Sequence, residues 1–334
     1  MEEEIEEFNN TLLNLYINNL NYLKDNHKNI FEKVNELSEK INNGEYQENY
    51  SLEYKSEGYF DILNIETNEY IYGFNSYEEA DKRKEYVNLT QKHSLNLLRH
   101  DSVNNNFALM KSLGTALPLV NFLNQKIDFE NIKFSKIFKF IFIGVGTGVH
   151  IHEIYKKINS MNTLIIEPNL EIFRLSLFTI DYSIFEKDNK KLFLSIADDN
   201  IERNNVLNSF TSYHSYMNYN IKHHLFSIEY EDLLDEVIEY YSHNFAAAFS
   251  YNTVLQVLSR TIKYMNKEYN FLKESYVKEK KPLLNKRVLI VGAAPSVDKQ
   301  MDWIEKNQSK FIIVCVDKMV QKLEKHSIVA DLVV

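Results

Sequence analysis

Cysteine is almost absent. Cys315 stands alone among 334 residues, so no disulfide can form within the chain. Its apolar neighbours Ile312, Ile313, Val314 and Val316 predict a buried, unreactive thiol in a reducing compartment. Long apolar runs are missing too. Stretches such as FKFIFIGVG are strand-sized, well short of the ~20 residues needed to cross a bilayer. The acidic start MEEEIEEFNN has neither the basic nor the apolar region of a secretory signal. A cytoplasmic protein without a membrane partner is expected. Basic residues are outnumbered, Lys+Arg 38 against Asp+Glu 47, and the net charge of -9 is relieved by no dense basic block. That balance disfavours a nucleic-acid partner. Only 8 Gly and 4 Pro occur, which reads as the imprint of an AT-rich genome rather than of a special fold.

The length suits two or three domains at ~100–200 residues each. Over residues 1–136, Ile5, Phe8, Leu12 and Leu15, then Ile30, Val34, Leu37 and Ile41, recur at helical spacing and predict two amphipathic helices. The short runs YSLEY, GYFDILNI and EYIYGF predict an antiparallel meander. Ser76 followed by Glu79 predicts a capping box opening a helix, with further helices running to about Asn124 and interrupted near Pro118. From 137 to 250 the strands KFIFIGV, NTLIIE, KLFLSIA and HLFSIEY alternate with helices, as in a doubly wound, Rossmann-like α/β domain with a parallel sheet. Residues 251–281 read as a helical connector. The alternation restarts over 282–334 with RVLIVGAAPS, KFIIVCVD and ADLVV, the beginning of a second Rossmann-like domain. Because the last strand is apolar and has no closing helix, a truncated chain is expected.

Two glycine turns stand out. Gly144, Gly146 and Gly148 follow a strand and open a helix, where backbone N–H groups can meet an anion. Val149 stands where a dinucleotide fingerprint wants a small residue, and Phe142 where a methyltransferase turn has an acidic one. Glu167, ending the next strand, is a candidate for ribose hydroxyls or simply a polar strand end beside Pro168. In the second turn, Gly292, Ala293, Ala294, Pro295 and Ser296 again lead from strand to helix. Gly292 permits the bend, Pro295 fixes φ, and the Ser296 hydroxyl either meets a phosphate or caps the helix. Asp298 would repel an anion there, and Asp317 at the end of the following strand is the second expected contact. His150 and His152 point to different faces of one helix, and the adjacent His223 and His224 lack a further ligand at metal spacing. Surface or capping roles are expected for the latter pair, and no metal site.

The blocks FIFIGVGTGVHIHEIYKKI, LIIEPNLEIFRLSLFTIDYSIF and VLIVGAAPSVDKQMDWIEKNQSKFIIVCVD resemble those of bacterial motility accessory factors, the Maf family. The resemblance spans roughly residues 137–334 and, more loosely, the N-terminal helices and meander, and IEPNLEIF together with V-G-x-x-P-S-x-D carries its specificity. It implies a glycosyltransferase with a sialyltransferase-like central domain, acting on flagellin. A nonulosonic acid, pseudaminic or legionaminic, would pass from a CMP-sugar to Ser or Thr, with the CMP-sugar as substrate and no cofactor. Where the family reads G-A-G-P-S, Ala294 replaces a glycine here; Ser327 and Ala330 replace Gly and Pro of a later block. The family's acidic continuation, and with it any catalytic base, is expected beyond Val334, so no catalytic residue is assigned and the 334 residues alone are expected to be inactive. Two other classes stay open: an S-adenosylmethionine methyltransferase centred on GVGTG and Glu167, and a non-catalytic flagellin-binding module.

Overall fold

A computed structural model describes residues 2–90, 92–95, 98–99, 106–128, 131–244, 249–265 and 285–334. The chain forms two compact units, Met1–Lys263 and Tyr264–Val334.

The first unit opens with helices α1 (Glu2–Asn26) and α2 (Lys28–Asn42). Ile30, Val34 and Leu37 line up along α2 and are buried, as the helical period requires. Strands β1 (Tyr50–Tyr54), β2 (Phe60–Asn64) and β3 (Glu69–Tyr70) form an antiparallel meander in that order. Helix α3 (Ser76–Tyr86) follows, but its cap lies one residue earlier than expected. Asn75 accepts from the N–H groups of Tyr77 and Glu78, which frees the Ser76 hydroxyl to donate to the Phe60 carbonyl at 2.6 Å. Glu79 pairs instead with Arg83 one turn on. After β4 (Ser94–Leu95) and β5 (Leu98–Arg99) come α4 (Phe107–Leu113) and α5 (Leu117–Asn124). The expected interruption near Pro118 falls at Gly114–Ala116, a 3₁₀ turn between α4 and α5, and Pro118 itself sits in the first turn of α5, where its missing N–H costs nothing.

The principal sheet contains β6 (Lys139–Ile143), β7 (Asn162–Glu167), β8 (Lys191–Ile196) and β9 (Ile221–Leu225) in parallel, with β4 antiparallel at one edge. Its order is β4-β9-β6-β7-β8. The direction of winding therefore reverses between β6 and β9, a switch point of the kind at which open α/β sheets bind ligands. On one face Phe140, Phe142, Ile165, Leu192 and Leu194 pack with α1, α2, α6 (Val149–Ile158) and α7 (Leu170–Ser176). On the other, Ile141, Ile143, Leu164 and Ile166 pack with α8 (Asn200–Ser212) and α9 (Glu231–His243). Burial on both faces explains why FIFI, residues 140–143, is continuously apolar rather than alternating. The strand expected at HLFSIEY lies farther upstream, ending at Leu225, and Ile228–Tyr230 is a 3₁₀ turn. Strand β10 (Phe249–Ser250) pairs with β5. Helix α10 (Tyr251–Met265) begins the expected connector, of which residues 266–281 lie outside the described residues.

In the second unit β11 (Val288–Val291), β12 (Ile312–Cys315) and β13 (Leu332–Val333) form a parallel sheet in that order. Helices α11 (Met301–Asn307) and α12 (Val320–Lys325) supply the crossovers. Val291, Ile313 and Cys315 are buried with Met301, Ile304, Leu323 and Ile328. The thiol is thus an interior apolar group, and burial pushes it up from its ordinary range.

Candidate functional site

Each glycine turn closes the carboxyl end of a parallel strand, where an α/β sheet presents its ligand crevice. The first runs from the end of β6 into α6. Gly144, Gly146 and Gly148 have φ of 85°, 51° and 80°, the left-handed region that glycine enters without strain. Side chains from elsewhere in the unit press on the turn. A methyl at Gly144 would lie 2.6 Å from Cβ of Phe226, one at Gly146 2.6 Å from the Tyr72 hydroxyl, and one at Gly148 2.9 Å from Cδ1 of Ile180.

The hydrogen bonds of this turn are also internal. Gly144 N–H donates to the Ile166 carbonyl at 2.9 Å and Val145 N–H to Glu167 Oε2 at 2.7 Å. Thr147 N–H donates to the Tyr72 hydroxyl at 3.1 Å, and Gly148 N–H to the Val145 carbonyl at 2.8 Å. Asn169 N–H donates to Glu167 Oε1 at 2.9 Å, and the Tyr230 hydroxyl reaches both carboxylate oxygens at 3.2 and 3.3 Å. Glu167 is fully buried. Burial raises its carboxyl to about 7, although these donors pull the other way. The structure therefore gathers Gly144, Gly146, Gly148 and Glu167 around aromatic rings of the same chain, not around an open crevice. Glu167 has no exposed surface to offer a ribose.

The rest of IEPNLEIF fastens structure to structure. Asn169 caps α7 by accepting from the N–H groups of Glu171 and Ile172. Glu171, missed in the sequence, is buried and accepts from the Tyr46 hydroxyl at 2.5 Å, Asn49 Nδ2 at 2.6 Å, Asn49 N–H at 2.7 Å and Tyr50 N–H at 3.1 Å. It ties the start of the meander to the sheet domain. An acidic residue in the first turn of a helix beside a capping Asn was the available signal, but its partners are more than a hundred positions away.

The paired histidines do not sit at the surface as expected. His223 and His224 belong to the interior strand β9, with their side chains alternating across the sheet. The His224 ring lies 5.1 Å from that of His150, and the His223 ring 6.2 Å from that of His93. Burial lowers His223 to about 4 and His224 to about 3, and holds His150 well below its ordinary range, so all three are neutral at pH 7. Among the described residues no group of three or more His, Cys, Asp or Glu side chains is placed to hold a metal.

The second turn is open where the first is filled. Residues 292–296 are all exposed, and no atom lies within 4 Å of where a methyl on Gly292 would stand. Pro295 opens the 3₁₀ helix Pro295–Gln300, whose N-cap position is held by Ala294, and Ser296 lies inside its first turn. Its hydroxyl has no hydrogen-bond partner among the described residues. Asp298, expected to repel an anion, pairs with Lys322 of α12. Asp317 lies at the same carboxyl edge, where its Oδ1 accepts from Lys318 N–H at 2.7 Å. Beside Ser296 a groove of about 250 Å³ runs past Gln300 and the half-exposed indole of Trp303.

The first unit's largely parallel sheet, with helices packed on both of its faces, and the second unit's parallel sheet with crossover helices define an α/β protein. A family model described as the glycosyltransferase Maf N-terminal domain matches residues 15–250, and the chain belongs to the Maf glycosyltransferase family. Residues 252–334, which include the second turn, match a model described as 6-hydroxymethylpterin diphosphokinase MptE-like. A solved Maf glycosyltransferase from Magnetospirillum magneticum AMB-1 shares the fold, with a TM-score of 0.50 and 15% identity over 96% of this chain. The chain spans 49% of that protein's length. No curated protein matches it significantly in sequence. Among the described residues no helix is long and apolar enough to cross a membrane.

Proposed function

We propose that this chain contributes to a cytoplasmic Maf-type transfer of a nonulosonic acid, pseudaminic or legionaminic, from a CMP-sugar to Ser or Thr of flagellin, in the service of motility. We assign the donor phosphate to the second turn, Gly292 to Ser296, with Asp317 as the neighbouring contact. The observation that carries this is the exposed turn with its unpartnered Ser296 hydroxyl. The diphosphokinase named by the family model over the same segment is a protein that handles phosphate groups, which supports the assignment.

Departure of CMP develops negative charge on the phosphate and positive charge on the sugar ring. Hydrogen-bond donors fixed before the reaction stabilise the former without reorganising. The acceptor hydroxyl needs a general base, and no residue among these 334 is given that role. The methyltransferase reading gains no support from the first turn, whose Val145 and Thr147 N–H groups already have partners.

Calorimetric titration with CMP, on this chain and on a longer form of the protein, tests the assignment. Ser296→Ala should weaken CMP binding about tenfold, the effect of losing one hydrogen bond to a charged group, and leave the melting temperature unchanged. An unaltered affinity with a stability loss of about 1 kcal/mol would mean that Ser296 only serves its helix. Intact-mass analysis of flagellin incubated with a CMP-nonulosonate should show sugar transfer by the longer form.

A further inference from the structure

A second crevice opens above the sealed turn of the first unit. It holds about 600 Å³ between the meander, from β3 to Phe74, and the segment that leaves β9 at the switch point. Tyr50, Tyr70 and Phe74 contribute rings to its walls, and Tyr70 and Phe74 are exposed. Ser227, the second residue past β9, lines it and carries a buried hydroxyl oxygen with no hydrogen-bond partner.

The charges decide what can enter. Two guanidinium groups line the crevice, and both are committed. Arg83 donates to Glu79 and to the Phe226 carbonyl, and Arg203 to Glu236 and the Asp198 carbonyl. Glu69, Glu229 and Asp232 also line it, and none of their carboxylates forms a hydrogen bond or ion pair among the described residues. The crevice is therefore net acidic, which repels phosphates, nucleotides and carboxylated sugars. Free carboxylates act only as acceptors, so they call for hydroxyl or N–H donors. The rings offer flat apolar surface between them. A pyranose without charge presents both complements at once, an apolar C–H face for a ring and hydroxyls for the carboxylates.

We propose that this crevice binds a neutral saccharide, at a site separate from the turn assigned to the donor phosphate. The cavity has room for a mono- or disaccharide. Saturation-transfer NMR on the full 334-residue chain tests it, with the methyl glycosides of glucose, galactose, mannose and N-acetylglucosamine as neutral probes. N-acetylneuraminate serves as the anionic probe and a Ser/Thr-rich peptide as the polypeptide probe. At least one neutral glycoside should give signal, and its affinity should fall about fivefold or more in Phe74→Ala and in Glu229→Gln. Both side chains are exposed, so melting temperatures should stay at the parent value. Ser296→Ala should leave the saccharide signal intact, which separates this site from the donor turn. The proposal is overturned if no neutral glycoside binds, if neither substitution weakens binding, or if N-acetylneuraminate or the peptide binds in preference.

Discussion

The two strand-turn-helix units use glycine for different reasons. At Gly144, Gly146 and Gly148 the backbone is left-handed and Phe226, Tyr72 and Ile180 stand where a side chain would go, so the protein's own packing accounts for every glycine. At Gly292 the φ is ordinary and the space is empty. Internal packing explains nothing about the second turn. A glycine motif is thus a statement about close approach, and only the structure tells whether a neighbouring ring or an outside molecule does the approaching.

The sharpest way to break this contrast is Gly144→Ala. Its methyl would meet Cβ of Phe226, an atom held near the backbone that cannot swing aside, and its φ of 85° strains any L-residue. Together these should cost the first unit about 3 kcal/mol. Urea unfolding followed by aromatic fluorescence would measure it, and a loss well below 1 kcal/mol would mean that the turn is looser than its packing implies.

Glu167→Gln comes next and carries a pH signature. An amide offers one acceptor oxygen where the carboxylate serves Val145 N–H with one and Asn169 N–H with the other, so one buried donor is left facing an NH₂ group. The expected cost is about 2 kcal/mol. Because burial raises the folded-state pKa from 4.5 to about 7, the parent protein's contribution from this group is fully present below 4.5 and is lost as the pH rises through 7. The substituted protein lacks that slope. Its deficit should therefore be larger at about pH 5 than at about pH 8, and an equal deficit at both would mean that Glu167 is ionised throughout.

Tyr72→Phe should be milder. It removes the oxygen that accepts from Thr147 N–H and leaves the ring in place, at a cost of about 1 kcal/mol. Hydrogen exchange at the Thr147 amide should speed up along with it. Unchanged exchange would show that the meander does not secure the turn.

Much of this was legible in the sequence, and what was not has a common cause. The strands KFIFI and NTLIIE announced themselves by their apolar runs FIFI and LII, and the burial of Cys315 by its neighbours. Helix α8 did not, because NIERNNVLNSFTS buries Arg203, Leu207, Phe210 and Thr211 without a clear apolar stripe; the capping box Asp199 with Glu202 was its only signal. The end of β9 was misjudged because Phe226 and Tyr230 look like strand residues, whereas they cover a turn formed some eighty positions earlier. The roles of Glu167 and Glu171 depended on Val145, Tyr230, Tyr46 and Asn49, partners that no local pattern names.

The smallest expected effect on stability, at Gly292, bears most directly on function. In Gly292→Ala the new methyl meets nothing within 4 Å and the backbone has no left-handed φ to strain. Removing glycine also narrows the unfolded ensemble, so the second unit should change by no more than about 0.5 kcal/mol and in the stabilising direction. On the proposed assignment, the same methyl would crowd a phosphate held against the turn's backbone N–H groups. A bound nucleotide would have to withdraw or the loop to bend, and CMP affinity should fall about tenfold. Stability and affinity would then move in opposite directions at one position, an outcome that a purely structural turn has no means to produce. Paired thermal unfolding and CMP titration of the parent and the variant would show it. Equal CMP affinity in the two proteins would remove the second turn from the donor site and leave its open glycine without a role.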